Sequence, residues 1–425
     1  VSGKAPSPDK GRVGVGSEQN HPLPTSPLAG GGAKSFVSVE QNWQQHLDQQ
    51  RDQQRLRVRR VVEKNQQRVL SVDGKSLIDF ASNDYLGLSQ HPEVINAAHS
   101  ALDEWGVGAT ASQMICGYRQ PQQQLEQALA QWLGVEATLV FSSGYLANIG
   151  LMMGVLGRHD MVIADKDIHA SLLDGIRLKG ATLKRFNHNQ VAHAAQLLAT
   201  AQAHQRCWLV TESIFSMRGD AAPLAALTEL AVQHDARLIV DEAHALGVMG
   251  EGGRGVLADL DLPNVIISGT FGKSFGTAGA FVAGSQLLID YLQQTARTCT
   301  YSTALPPAIT QATLKSLQLM QQQPQLITSL RQHIDDFKNA AAQIGLPLLP
   351  SGSVIQMLVL GSSERALALS AELNARGIWI PAIRPPTVPQ GQAGLRLVLS
   401  AQHTREQLAY LFAQLQQCQA LWASS

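Results

Sequence analysis

The first pattern that could do chemistry is a lysine set between glycines. The stretch Gly272-Lys273-Ser274-Phe275-Gly276 follows an apolar run at 265–268. Turn lysines ordinarily point to water, so one held by glycines just beyond a buried strand is placed for a reaction. The triplet Gly272-Lys273-Ser274 invites a phosphate-loop reading. That motif requires an earlier glycine at the position where Ile267 stands, so the reading fails. A second group, Asp241-Glu242-Ala243-His244, follows the apolar run 237–240 and aims an acid and a histidine at one place; its bland alternative is a helix-capping aspartate. A third, Ser143-Gly144-Tyr145-Leu146-Ala147-Asn148, follows the run 137–142. There a glycine at a strand-to-helix turn would let backbone N–H groups reach an anion, unless it is a plain turn glycine. His169, in Ile168-His169-Ala170-Ser171, comes just after the run 161–165, where a histidine can also simply start a helix.

Together these groups say more than any one alone. Pyridoxal 5′-phosphate (PLP) needs a lysine for a Schiff base, a carboxylate to keep the pyridine nitrogen protonated, and a cradle for its phosphate. Lys273, Asp241 and the turn at Gly144 supply all three at strand ends, and His169 could stack on the ring. No metal site is expected. The four cysteines, Cys116, Cys207, Cys299 and Cys418, are far apart and form no CxxC pair, which fits a reducing cytoplasm.

The elements that must position these residues are legible as alternation. Short apolar runs at 137–142, 161–165, 182–186, 207–211, 237–240, 265–268 and 279–283 are mostly separated by helix-length amphipathic stretches. That pattern predicts an α/β fold with a mostly parallel sheet covered on both faces, and ligands then sit outside the carboxyl ends of its strands. Residues 1–36, rich in Gly, Pro and Ser, read as a disordered leader. Residues 37–90 read as a helix over about 42–60 followed by a hairpin turning at Asp73-Gly74. The large domain is expected over 91–307 and a smaller α+β domain over 308–425, with strands near 354–360 and 395–399 and a helix near 363–376. Of 425 residues, 44% are hydrophobic and 16% charged, and 33 basic residues balance 33 acidic ones. That balance argues against nucleic acid and against a membrane surface. No apolar run approaches the ~20 residues a membrane span needs.

With the motif Ser82-Asn83-Asp84-Tyr85-Leu86-Gly87-Leu88 and with Tyr301-Ser302-Thr303, the chain resembles the α-oxoamine synthases from about Trp43 to its C-terminus. The resemblance implies a fold-type I PLP-dependent transferase acting as a homodimer. Within the family, residues 382–389, Ala-Ile-Arg-Pro-Pro-Thr-Val-Pro, are similar to the biotin-pathway members. These condense L-alanine with a pimeloyl thioester carried on CoA or on an acyl carrier protein. The resemblance assigns the Schiff base to Lys273, the pyridinium partner to Asp241, the phenolic-oxygen contact to His244 and the ring stack to His169. It gives the phosphate to the N–H groups of Gly144 and Tyr145 and the hydroxyl of Thr270, with Ser302 and Thr303 reaching it from the neighbouring subunit. Ser216 lines the cofactor, Asn83 and Arg57 meet substrate, and Arg384 binds the amino-acid carboxylate. Arg57 is one of four arginines in 55–60. Two places depart from the family pattern. Residues 109–118 read Ala-Thr-Ala-Ser-Gln-Met-Ile-Cys-Gly-Tyr where relatives carry a Gly-rich stretch with a basic residue, and Met357 follows Gln356 where relatives tend to carry proline. Both bear on the acyl pocket. The competing readings are a glycine-using member of the family with another acyl-CoA, and a non-catalytic homologue.

Overall fold

The computed structural model describes residues 38–259 and 265–423, so the expected leader at 1–36 lies outside the described residues. The chain divides into a unit ending at Leu56 and a unit running from Arg57 onward. In the first, α1 (Val39–Asp52) is started by a reciprocal cap between Ser38 and Gln41. It is shorter than expected and none of its residues is buried, because Val39, Trp43 and Leu47 are its only large apolar side chains.

The second unit opens with an antiparallel meander, β1 (Val62–Gln66), β2 (Val69–Val72) and β3 (Lys75–Asp79). Helices α2 (Pro92–Trp105) and α3 (Gln120–Leu133) precede the alternating region. That region runs β4 (Ala137–Phe141), α4 (Gly144–Val155), β5 (Met161–Asp165), α5 (Ala170–Lys179), β6 (Thr182–Phe186), α6 (Val191–Leu198), β7 (Cys207–Glu212), α7 (Leu224–Gln233), β8 (Arg237–Asp241), β9 (Val265–Thr270) and β10 (Ala280–Gly284). Helices α8 (Gln286–Thr295), α9 (Arg297–Thr300), α10 (Pro307–Gln322) and α11 (Gln325–Ile344) lead to β11 (Ile355–Gly361), α12 (Ser363–Ala375), β12 (Ile378–Trp379), β13 (Ala382–Ile383), β14 (Ala393–Val398) and α13 (Arg405–Gln417).

Seven strands form the large sheet in the order β4-β10-β9-β8-β7-β5-β6. The pairs among β9, β8, β7, β5 and β6 are parallel, as the near-continuous apolar runs predict. β10 is antiparallel to both its neighbours. It follows β9 through a short loop with no room for a crossover, so an antiparallel return is the only connection available. Lys273 sits in that loop. The expected turn at Asp73-Gly74 is present, with positive φ at both residues.

The C-terminal strands form a separate antiparallel sheet, β11-β14-β13, while β12 pairs in parallel with β3 and so extends the N-terminal meander. The segment after β3 is stitched to the C-terminal part. Val398 N donates to Phe80 O, Ala401 N to Tyr85 O, and the Phe80 ring stacks on His403 at 4.3 Å. This stitching carries residues 80–89 across to the ends of the large sheet. No helix among the described residues is long and apolar enough to cross a membrane.

Candidate active site

The carboxyl ends of the parallel strands deliver chemistry to one cavity of about 230 Å³. Gly144 opens α4 after β4, His169 precedes α5 after β5, Asp241 ends β8 and Thr270 ends β9. Lys273 reaches the same space from the β9–β10 loop, joined by Tyr145, His244, Asn148, Ser171, Glu212 and Ser268. Sequence reasoning placed Lys273, Asp241, His169, His244, Gly144, Tyr145 and Thr270 at strand ends, and the fold brings all seven together.

The lysine loop is fixed from several sides. Phe271 and Phe275 are wholly buried, and Ser274 Oγ donates to Leu246 O at 2.6 Å. Gly276 has φ of 67°, and a Cβ there would lie 2.3 Å from Ser89 N, so only glycine lets this loop press against residues 88–89. Burial pushes the Lys273 amine down to about 8. Asp241 and Glu212 oppose that fall, and Arg396 adds to it.

A hydrogen-bonded chain crosses the cavity wall. Asp241 Oδ1 accepts from Ala243 N at 2.9 Å and its Oδ2 from Asn148 Nδ2 at 2.8 Å. Asn148 also donates to Ser171 Oγ, which lies 2.7 Å from His169 Nδ1. His169 stands at the mouth of the cavity, and partial loss of water around its ring lowers its pKa, with Asp241 opposing. His244 is held well below the usual histidine range by burial, then by the charges of Lys273 and Arg396, and is neutral. Its Nδ1 lies 2.7 Å from Tyr85 Oη.

Sequence reasoning missed several residues here. Glu212 ends β7 in register beside Asp241 and is 2% exposed; burial, then the Asp241 charge, raises its carboxyl well above the usual range. The strand-end rule that selected Asp241 would have found it one residue past the run 207–211. Arg396 donates from Nε to Ser216 O at 2.7 Å and from Nη1 to Asn83 Oδ1 at 3.3 Å, and its charge is felt by Lys273 and His244. An arginine inside the otherwise apolar run 395–399 was its signal. Arg384, expected at the amino-acid carboxylate, lies half-buried on the loop after β13 and is not among the residues lining the cavity. Arg396 does not line it either, but its charge reaches the lysine and the histidine. Strand pairing accounts for this, since β14 runs alongside β11 and sets Arg396 opposite Met357, the position that departs from the family pattern.

Arg57 is exposed and donates to Thr387 Oγ1 at 3.1 Å, which ties it to the same loop as Arg384. Ser216 is half-buried, and its N–H donates to Glu212 Oε2 at 3.3 Å. Ser302 and Thr303 do not line this chain's cavity, and Thr303 instead bridges to Ser112. The other departure, residues 109–118, folds as a π-helical turn over Gln113–Gly117 against that segment, with Ala304 N donating to Ala111 O.

The loop carrying Ser216 has its own clamp. His188 lies between Asp165, 3.1 Å from Nδ1, and Asp220, 2.7 Å from Nε2, with Asp167 at 3.7 Å and Arg218 beside Asp220. Burial alone would lower this imidazole's pKa, but hydrogen bonds and charge from Asp165 and Asp220 outweigh it and push it up to about 9. Below the ordinary histidine value near 6.5 the folded and unfolded chains both hold this proton, and the contribution to stability is complete. Above it the unfolded chain releases the proton first, so the contribution erodes and is gone past about 9. Thermal melting followed from pH 6 to 9.5 should show Tm falling across this window by more in the wild type than in His188→Gln. Parallel curves for the two proteins would rule the clamp out.

The cavity fits the phosphate-bearing pyridine cofactor that the strand-end residues predict. The first N–H groups of α4 have no partner within the helix, and Ser143 Oγ caps only that of Leu146. A Cβ on Gly144 would lie 3.5 Å from Thr270 Oγ1, filling the opening in front of those groups. Asn148 Oδ1, Glu212 Oε1 and Ser268 Oγ are buried with no hydrogen-bond partner. Among the described residues no cluster of side chains is suited to a metal.

Comparison with known proteins gives a consistent result. The family model for aminotransferase class I and II matches residues 75–415. An 8-amino-7-oxononanoate synthase of Saccharophagus degradans is 46% identical over 380 residues, covering 88% of this chain and 96% of its own. One from Methylococcus capsulatus is 46% identical over 355 residues, covering 83% and 92%. Among solved structures, serine palmitoyltransferase of S. paucimobilis with a bound PLP–myriocin aldimine superposes with a TM-score of 0.85 at 28% identity, covering 91% of this chain and 99% of that one. An 8-amino-7-oxononanoate synthase of Francisella tularensis gives 0.70 at 31% identity, covering 80% and 97%.

Proposed function

Because the chain belongs to the class I and II aminotransferases, in their α-oxoamine synthase branch, we propose that it performs the reaction of its 8-amino-7-oxononanoate synthase relatives. That reaction is the decarboxylative condensation of L-alanine with a pimeloyl thioester, giving 8-amino-7-oxononanoate, CO2 and the free thiol, a step of biotin biosynthesis. The chain has the fold-type I arrangement of PLP-dependent transferases, and its cofactor is PLP. The observation that carries the reading is the convergence of Lys273, Asp241, His244 and His169 on one cavity at the open end of α4.

When bound, PLP supplies an electron sink for charge developing at the amino acid's Cα. Lys273 Nζ would tether the cofactor and, once free, take the Cα proton, since an amine at about 8 is partly unprotonated near neutral pH. Asp241 would keep a proton on the pyridine nitrogen, with Asn148 and the Ala243 N–H holding its carboxylate in place. His244 would donate to the phenolic oxygen, and His169 would cover the ring, oriented through Ser171. The N–H groups of Gly144 and Tyr145 and the hydroxyl of Thr270 would take the phosphate. Ser302 and Thr303 would reach the phosphate of a second copy in a homodimer. The bond formed joins Cα to the thioester carbonyl carbon, the thiol leaves, the alanine carboxyl departs as CO2, and a proton returns to Cα.

The carboxylate anchor is best assigned to Arg396, with Asn83 and Ser216 fixing its guanidinium. Arg384 would then act with Thr387 and Arg57 nearer the acyl donor. Arg396→Ala should weaken L-alanine binding by roughly 1.5–3 kcal/mol, the range for a hydrogen bond to a charged group. Arg396→Lys should restore only part of it, because an ammonium lacks the paired geometry. The check is a spectral titration of the PLP-loaded variants with L-alanine. Weakened affinity in Arg384→Ala alone would return the anchor to Arg384.

Mass spectrometry of products from alanine or glycine with a panel of acyl thioesters, on CoA and on acyl carrier protein, tests the whole reading. Alanine with the pimeloyl donors should give 8-amino-7-oxononanoate. Product only from glycine would replace the assignment with another α-oxoamine synthase, and no turnover with any pair would favour a non-catalytic homologue.

A further inference from the structure

We propose that Tyr85 is a positioning residue that fixes the tautomer of His244, holding Nδ1 as an acceptor so that Nε2–H is the proton offered to the cavity. The inference rests on the reading that His244 serves the cofactor's phenolic oxygen. Tyr85 is wholly buried, in a segment carried across the molecule by the Ala401 N to Tyr85 O bond. Its hydroxyl lies 2.7 Å from His244 Nδ1 and 3.3 Å from Asn83 Oδ1, and the positive charge of Arg396 acts on it.

A phenol has one proton to give, and the surroundings decide where it goes. Arg396 brings a positive charge near the oxygen and has no lone pair to take the hydroxyl proton. Asn83 Oδ1 already receives Arg396 Nη1, and its contact with the hydroxyl is long. The short contact is to His244, whose ring is neutral in this setting and can therefore accept at one nitrogen. Burial pushes the Tyr85 hydroxyl up to about 12, so it keeps its proton and remains a donor over the working pH range. With Nδ1 accepting, a neutral imidazole must carry its hydrogen on Nε2. The Arg396 charge near the oxygen polarises the O–H and strengthens its bond to Nδ1. Without the hydroxyl, His244 could take either tautomer, and in one of them it would present a lone pair to an oxygen it should be donating to.

The test reads the pH midpoint of the visible absorbance of the bound cofactor. An N–H aimed at the phenolic oxygen favours the anionic form and lowers that midpoint. Tyr85→Phe keeps the ring and deletes one hydroxyl, so the midpoint should rise by about one pH unit, the scale of a hydrogen bond to a charged group. His244→Ala should raise it at least as far, and the double variant should rise no further than His244→Ala, because Tyr85 acts only through the histidine. An unmoved midpoint in Tyr85→Phe, or an equal shift in the His244→Ala background, would overturn the proposal. A second measurement needs no folded Tyr85 variant. In wild-type holoenzyme labelled with 15N-histidine, two-bond 15N–1H correlations report each ring's tautomer, and the His244 signal is the one lost in His244→Ala. The Nε2–H pattern is expected, and the Nδ1–H pattern would refute it. Absence of any visible band in the wild type would be a failure of the cofactor-site reading instead, so the two failures stay distinct.

Discussion

Lys273→Ala should lose at least about 10⁴-fold in turnover without losing the fold. A positioned proton-transfer group contributes about 10²–10⁴-fold, and here the same amine would also tether the cofactor, so the two losses compound. The loop should survive the change. Its shape comes from Phe271, Phe275, Ser274 and the packing of Gly276 on residues 88–89, none of which involves the lysine side chain. Deleting an amine that burial disfavours also removes a desolvation cost. The measurements are steady-state turnover at saturating PLP and a melting curve. Borohydride reduction of the wild type followed by peptide mapping should label Lys273, and a label on another lysine would sink the assignment.

Asp241→Asn should lose about 10³-fold, equivalent to roughly 4 kcal/mol of barrier lowering, while still retaining PLP. A neutral amide cannot stabilise a protonated pyridine nitrogen, so the sink for Cα charge weakens. The structural cost should be small for a specific reason. The new amide would face Asn148 Nδ2 donor to donor, but Asn148 Oδ1 is buried without a partner. A flip of Asn148 turns that oxygen toward position 241, and the Ser171 hydroxyl can donate to it in turn. The loss would therefore be chemical and would appear in kcat with Tm nearly unchanged. Near-normal turnover in Asp241→Asn would remove the carboxylate from its role.

The cofactor end of the site was legible because each of its residues directly follows an apolar run, and parallel strands bring their carboxyl ends to one side. Lys273, Asp241, His169 and Gly144 all obey that rule. The substrate end obeyed no local rule. Arg396 lies within a strand, and its neighbours Asn83 and Ser216 come from the segment after β3 and the loop after β7, so only tertiary pairing shows that it meets them. Arg384 was named through the family resemblance alone, since no local pattern shows where its Pro-rich stretch is directed. Likewise the Asp73-Gly74 turn was readable from two residues, whereas the pairing of β3 with β12 depends on a strand some 300 positions away.

The antiparallel β9–β10 return has a kinetic consequence. A hairpin closes a short loop, and such contacts form early because they cost little chain entropy. The lysine's loop should thus be among the first parts of the site to take shape. Its partners arrive by longer routes: Asn148 meets Asp241 across 93 positions, Tyr85 meets His244 across 159, and Arg396 meets Asn83 across 313. During refolding, cofactor capture should lag behind the appearance of strand signal. Recovery of alanine binding should come last of all, when the two ends of the chain have found each other.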